Sequence, residues 1–225
     1  MNAGYLIKTA GGVETGALTG NGDFRSDECI KILREADVVV TNPPFSLFRE
    51  YVAQLMDYRK SFVIIGNINS ITYKEIFPLI KNGGMWLGWS IHNGCSVFNL
   101  RSGESQSFSN VRWFTNIPPR NFEPLNLTFE YSPELYPKYD NYDAIEVSRT
   151  AKIPRDYFGV MGVPITFLDK YNPQQFEILG MAAGNSRACG FNYDVKYVQH
   201  EKDRGGCGVV NDERVFARLL IRRRQ

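Results

Sequence analysis

Residues 36–55 read ADVVVTNPPFSLFREYVAQL: a β-branched run, Val38-Val39-Val40-Thr41, drives straight into Asn42-Pro43-Pro44-Phe45 and then into a helical pattern. The valines predict a short strand. Leu47, Phe48, Tyr51, Val52, Leu55 and Met56 recur at helical spacing with Arg49, Glu50, Ala53, Gln54 and Asp57 opposite, which predicts an amphipathic helix. The prolines end sheet pairing, because neither donates an N–H and each holds the residue before it extended. In an open parallel sheet, the carboxyl ends of strands are where ligands bind.

The flanking sequence supports an α/β layer. Ser26 as N-cap, Asp27 and Glu28 at the positive end of the dipole, and Ile30 with Leu33 on one face predict a helix from Asp27 to Ala36. FVIIG, residues 62–66, predicts a second strand, a buried one. Thr72 and Glu75 form a capping box for a helix carrying Ile76, Leu79 and Ile80, with Pro78 inside it and NGG (82–84) ending it. From Trp86 onward helical periodicity fades. SVFNL (96–100), VRWFT (111–115), DAIEV (143–147), PITFL (164–168), FEILGMA (176–182) and RVFARLLIRR (214–223) predict strands, and residues 117–141 an irregular connection. A boundary near Asn121 divides an α/β part, 1–120, from a β-rich part, 121–225.

Composition excludes several classes. At 225 residues, 43% hydrophobic, the chain can bury a substantial core. Its net charge of +2 is far from that of a histone-like binder, so any nucleic-acid contact is local. Cys29, Cys95, Cys189 and Cys207 are scattered without metal-ligand or disulfide-framework spacing, which predicts reduced thiols and no metal. No apolar run is long enough to span a bilayer and no signal-peptide profile opens the chain, so a cytoplasmic protein is expected.

The Asn-Pro-Pro-Phe corner suits one kind of chemistry. An exocyclic aromatic amine such as adenine N6 is a poor nucleophile because its lone pair is delocalised into the ring. If the Asn42 side-chain oxygen and the Pro43 carbonyl accept its two hydrogens, the nitrogen can pyramidalise and aim that pair at an electrophilic methyl group. Phe45 would stack on a base flipped out of its duplex. Read blandly, Pro43-Pro44 is a turn and Phe45 a staple on the next helix. Upstream, Asp23 and Phe24 in GNGDFRSDE pair a carboxylate with an aromatic ring, suited to an adenosine or simply to capping the helix.

These residues, with FVIIGN, ITYKEIFPLIK, VRWFTN, YPKYDNYDAIEV, GVMGVPITFLDKYNPQQFEILG and ARLLIRR in order, resemble the EcoRI-type adenine-specific DNA methyltransferase family. The resemblance implies a Rossmann-like methyltransferase sheet with a β-rich carboxy-terminal part, and transfer of methyl from S-adenosyl-L-methionine to adenine N6 in double-stranded DNA, as in a restriction-modification system. It implies a catalytic role for Asn42, Pro43, Pro44 and Phe45, and cofactor binding by Asp23 and Phe24. Residues 4–16, GYLIKTAGGVETG, lie too close to Asp23 for an intervening helix and strand. They read as a connection, so the sheet is expected to be incomplete at its amino end, with an amino-terminal segment or second chain supplying the cofactor loop. Two further readings stay open: a methyltransferase acting on protein glutamine amides, and a non-catalytic DNA-binding remnant or half of a split enzyme.

For DNA, Asn185 and Arg187 in the loop 180–190 are suited to base edges, and Lys196, Arg222 and Arg223 to phosphates. A solvated tail accounts equally well for the arginines. Trp86, Trp89, Trp113 and Phe114 are core residues or walls of a base pocket. His92 and His200 lack a partner carboxylate at suggestive spacing.

Overall fold

The structure, a computed structural model, describes residues 4–9, 11–88, 96–99, 103–108, 110–191 and 194–225. Trp89, His92 and Cys95 lie outside the described residues. In chain order the first half holds β1 (Gly4–Thr9), β2 (Gly12–Ala17), α1 (Asp27–Glu35), β3 (Val38–Thr41), α2 (Phe48–Asp57), β4 (Ser61–Asn67), α3 (Phe77–Lys81), β5 (Trp86–Leu87), β6 (Ser96–Asn99), β7 (Ser105–Phe108) and β8 (Val111–Thr115). The second half holds β9 (Ile145–Glu146), β10 (Val160–Pro164), β11 (Phe176–Ala182), α4 (Ser186–Cys189), β12 (Val209–Val210), β13 (Glu213–Arg214) and β14 (Arg218–Arg223). The result is a mixed α/β fold with two four-stranded sheets, ordered β3-β4-β8-β5 and β11-β14-β10-β9, and three two-stranded ones.

In the first sheet β3 and β4 are parallel, with Thr41 opposite Ile64, so their carboxyl ends share one edge. The helix between them packs Phe48, Val52 and Leu55 against the sheet, the one-turn repeat that the sequence requires. The antiparallel β8 then closes on β4. The ring of Phe48 meets that of Phe114 edge-on at 5.0 Å, which fixes the first turn of α2 against the sheet. Phe48, Phe62 and Phe114 share one continuous core with Ile145, Met161, Phe167, Phe176 and Leu219, so residues on both sides of position 121 bury one another.

Two buried ionic clusters cross-link this core. Arg112 on β8 makes a two-pronged pair with Asp169, Nε to Oδ1 at 2.8 Å and Nη2 to Oδ2 at 2.9 Å, and its side chain is only 3% exposed. Glu146 on β9 accepts from Arg218 on β14 at 2.7 and 2.9 Å and from the Tyr139 hydroxyl. Burial and that carboxylate push the Tyr139 phenol well above its ordinary value, so it stays a proton donor and serves structure.

Four elements differ from the sequence reading. The helix expected from Thr72 begins at Phe77, because Pro78 fits only a first turn; Thr72 instead donates to the Asn69 carbonyl and ends a 3₁₀ turn over Ile68–Thr72. PITFL is not a strand. The strand ends at Pro164, and Ile165–Lys170 coils as 3₁₀ helix. RVFARLLIRR is broken between β13 and β14, with Phe216 thrown outward. The segment 4–16, read as a connection, is a β-hairpin whose register pairs Thr9 with Gly12.

Candidate functional site

The corner after β3 is open. Asn42 and Pro44 are exposed, Pro43 is buried, and the Phe45 ring is 42% exposed. A 3₁₀ turn, Phe45–Leu47, uses the carbonyls of Pro44 and Phe45 and hands over to α2. Among the described residues nothing bonds to the Asn42 side chain or donates to the Pro43 carbonyl, so neither of the two acceptors singled out in the sequence has a partner within the described chain. Phe45 contributes nothing to the core, which leaves its ring free to contact a ligand. A staple would be buried against the helix.

The corner is positioned from beneath. A Cβ built on Gly66 at the end of β4 would sit 2.5 Å from Phe48 Cε2 and 3.0 Å from Phe114 Cε2, so only glycine lets the first turn of α2 press on the strand. Gly66→Ala is therefore expected to push Phe48, and with it residues 42–45, off the sheet. The strain of overpacking is about 1–3 kcal/mol, and a fall in turnover should accompany the lowered urea midpoint.

Asp23 and Phe24 are fastened to the other side of the same helix. Gln54 of α2 donates to the Phe24 carbonyl at 3.0 Å, Tyr51 meets the Phe24 ring at 4.8 Å, and Arg25 reaches Glu50 at 3.1 Å. Helix α2 thus carries both sequence motifs, one at its start and one along its flank. Arg25 also grips Asp23 through Nε at 3.0 Å and Nη2 at 2.8 Å. That guanidinium holds the Asp23 carboxyl at about 2, so the group remains an anionic acceptor throughout the physiological range. Arg25 lies over the Phe24 ring, 5.4 Å from its centroid, and covers one face. Arg25, Glu50 and Gln54 were not singled out in the sequence, although Arg25 stands only two residues from Asp23.

The residues read as DNA contacts are dispersed. Asn185 precedes α4 and donates to the Thr72 carbonyl at 2.8 Å, which docks its loop onto the 3₁₀ turn after β4. Arg187 donates to the Tyr197 hydroxyl at 3.3 Å beside Asp203, and Lys196 is exposed nearby in the chain. On β14, Arg222 pairs with Glu177 at 3.0 Å and Arg223 lies over Phe158 at 5.0 Å. Phe114 is core. Trp86 lines a cavity of about 620 Å³ with Phe122, Tyr171 and Leu125; β5, its strand, is at the edge opposite β3, so the cavity is separate from the Asn42 corner. His200 faces Asp212 at 3.5 Å. Among the described residues no group of His, Cys, Asp and Glu could hold a metal, and no helix is long and apolar enough to cross a membrane.

The sequence has recognisable relatives. Residues 6–224 match the family model described as adenine-specific methyltransferase EcoRI. The chain is 48% identical over 190 residues to the Type II methyltransferase M.EcoRI of Escherichia coli, an alignment covering 76% of this chain and 58% of that protein. It is 36% identical to the Type II methyltransferase M.MpnI of Mycoplasma pneumoniae, covering 92% of this chain and 70% of the relative. No solved structure matches it significantly. The open Asn-Pro-Pro-Phe corner thus occurs in a sequence matched from end to end, and the chain belongs to the EcoRI family of adenine-specific methyltransferases.

Proposed function

We propose that this chain methylates adenine N6 in double-stranded DNA, as the modification arm of a cytoplasmic restriction-modification system. The observation that carries the proposal is the pair of unpartnered acceptors, Asn42 and the Pro43 carbonyl, at the carboxyl end of a parallel strand beside a half-exposed ring. The relatives named above are Type II methyltransferases, and their family is adenine-specific.

In this reading the two acceptors hold the N6 hydrogens and turn the nitrogen lone pair out of the ring plane. Phe45 takes the face of the flipped base. When bound, S-adenosyl-L-methionine supplies the electrophilic methyl. Asp23, an anion clamped by Arg25, and Phe24, with one face left uncovered by that arginine, fit the adenosine end of such a group. As N6 becomes tetrahedral, Asn42 and the Pro43 carbonyl stabilise the positive charge it gains; the surplus proton leaves afterwards to solvent, so no strong base is required. The parallel pair β3–β4 belongs, in this reading, to a Rossmann-like sheet within residues 1–120, and residues 121–225 complete it and meet DNA. Val38 and Val40 on β3 are 47% and 66% exposed, and β3 has one strand neighbour among the described residues. That uncovered face and unpaired edge are where an amino-terminal segment or second chain bearing the cofactor loop would dock.

Transfer of labelled methyl from S-adenosyl-L-methionine to duplex DNA of mixed sequence tests the proposal. Labelling of DNA is expected; labelling of added protein with none on DNA would overturn it. Phe45→Ala is expected to weaken use of duplex DNA by about 1–3 kcal/mol, the usual value of a base-aromatic stack, whereas Phe45→Tyr retains it. Relative kcat/KM values on the same duplex measure this.

A further inference from the structure

A second concave feature lies on the same edge of the sheet as the Asn42 corner. Arg112 stands opposite Gly66, one residue before the end of β4, and β4 runs parallel to β3. Around it a cleft of about 500 Å³ is lined by Ser148, Arg149, Thr150, Thr166, Asp169 and Lys170. Ser148 to Thr150 follow the carboxyl end of β9, and Thr166 to Lys170 follow that of its parallel neighbour β10. Loops beyond the carboxyl ends of two parallel strands of the second sheet therefore converge on a hollow floored by Arg112 of the first sheet.

Its chemistry is that of an anion site. The lone carboxylate in the wall, Asp169, is already held by both prongs of Arg112, which also donates to the Val111 carbonyl at 2.9 Å. This neutral, buried pair forms the floor. On the rim, Arg149 and Lys170 make no ion pair or side-chain hydrogen bond with any other described residue, and neither do the hydroxyls of Ser148, Thr150 and Thr166. Two uncompensated cations and three free hydroxyls on a rigid base match a phosphate better than a carboxylate ligand or an apolar one.

We infer that this cleft binds backbone phosphates of the DNA strand carrying the target adenine, an inference that rests on the DNA reading above. β8 is two strand spacings from β3, on the order of 10 Å, which is roughly three nucleotides at the rise of one strand. Phosphates flanking the flipped nucleotide reach Arg149 and Lys170 while the base occupies the Asn42 corner. The contacts carry no sequence information; they set register.

The test is the salt dependence of duplex binding for Arg149→Gln/Lys170→Gln in the full chain, beside Lys31→Gln/Lys138→Gln, which removes the same charge from exposed positions outside the cleft. The slope of log affinity against log salt is expected to become shallower by about 1.8 in the cleft variant, equally on DNA with and without a methylation site, and to hold in the other. Turnover at saturating DNA should match that of the unsubstituted chain in Lys31→Gln/Lys138→Gln. An unchanged slope in the cleft variant, or an equal change in both variants, overturns the cleft while methyl transfer by the unsubstituted chain keeps the catalytic reading. A chain that neither binds nor methylates duplex DNA overturns both.

Discussion

Asn42→Ala is expected to lower methyl transfer by at least about 10²–10³-fold at saturating DNA and cofactor, the usual loss when one preorganised polar group facing developing charge is removed. The fold should not notice. Asn42 is exposed and bonds to no other described residue, so its truncation is expected to change stability by less than about 0.5 kcal/mol. That separation makes the variant informative: a lost rate with an unchanged urea midpoint assigns the side chain to chemistry. Asn42→Asp keeps an oxygen acceptor at the same reach and should recover part of the rate. Wild-type turnover in the alanine variant would remove the catalytic role from this corner.

The largest expected loss of stability lies elsewhere. Asp169→Ala leaves the guanidinium of Arg112, a side chain 3% exposed, without its counter-charge, and breaking one side of such a buried pair costs about 3–5 kcal/mol. Replacing both partners, as Arg112→Met with Asp169→Leu, is expected to restore most of that loss, because the uncompensated charge rather than a missing attraction causes it. Urea unfolding of the two variants reads the difference directly. A midpoint for Asp169→Ala within error of the unsubstituted chain would mean that the pair is not buried.

What the sequence made legible was local. The valines of β3, the period of α2 and the Ser26 cap, whose hydroxyl accepts from the Cys29 amide at 3.3 Å, were readable because each depends on neighbours within a few residues. Pro164 misled the strand assignment: the apolar run after it fits a strand by composition, but pairing to β14 stops at the proline. Thr72 misled the helix assignment because a capping box is a local pattern, while Pro78 fixes where the first turn must lie. The break after β3 was readable from Pro43 and Pro44 between a strand and a helix, all within one short stretch. The cleft over Arg112 was not, since Arg112 and Asp169 are 57 positions apart and the rim hydroxyls come from two separate loops. No periodicity or motif joins such residues; only the folded backbone does.

The position of the transferred methyl decides the central claim. Duplex DNA incubated with this chain and labelled S-adenosyl-L-methionine, then digested to nucleosides, is expected to carry the label on N6-methyl-2′-deoxyadenosine alone, and to carry none when Asn42→Ala replaces the chain. Label on cytosine, or label on adenine undiminished by Asn42→Ala, would contradict it.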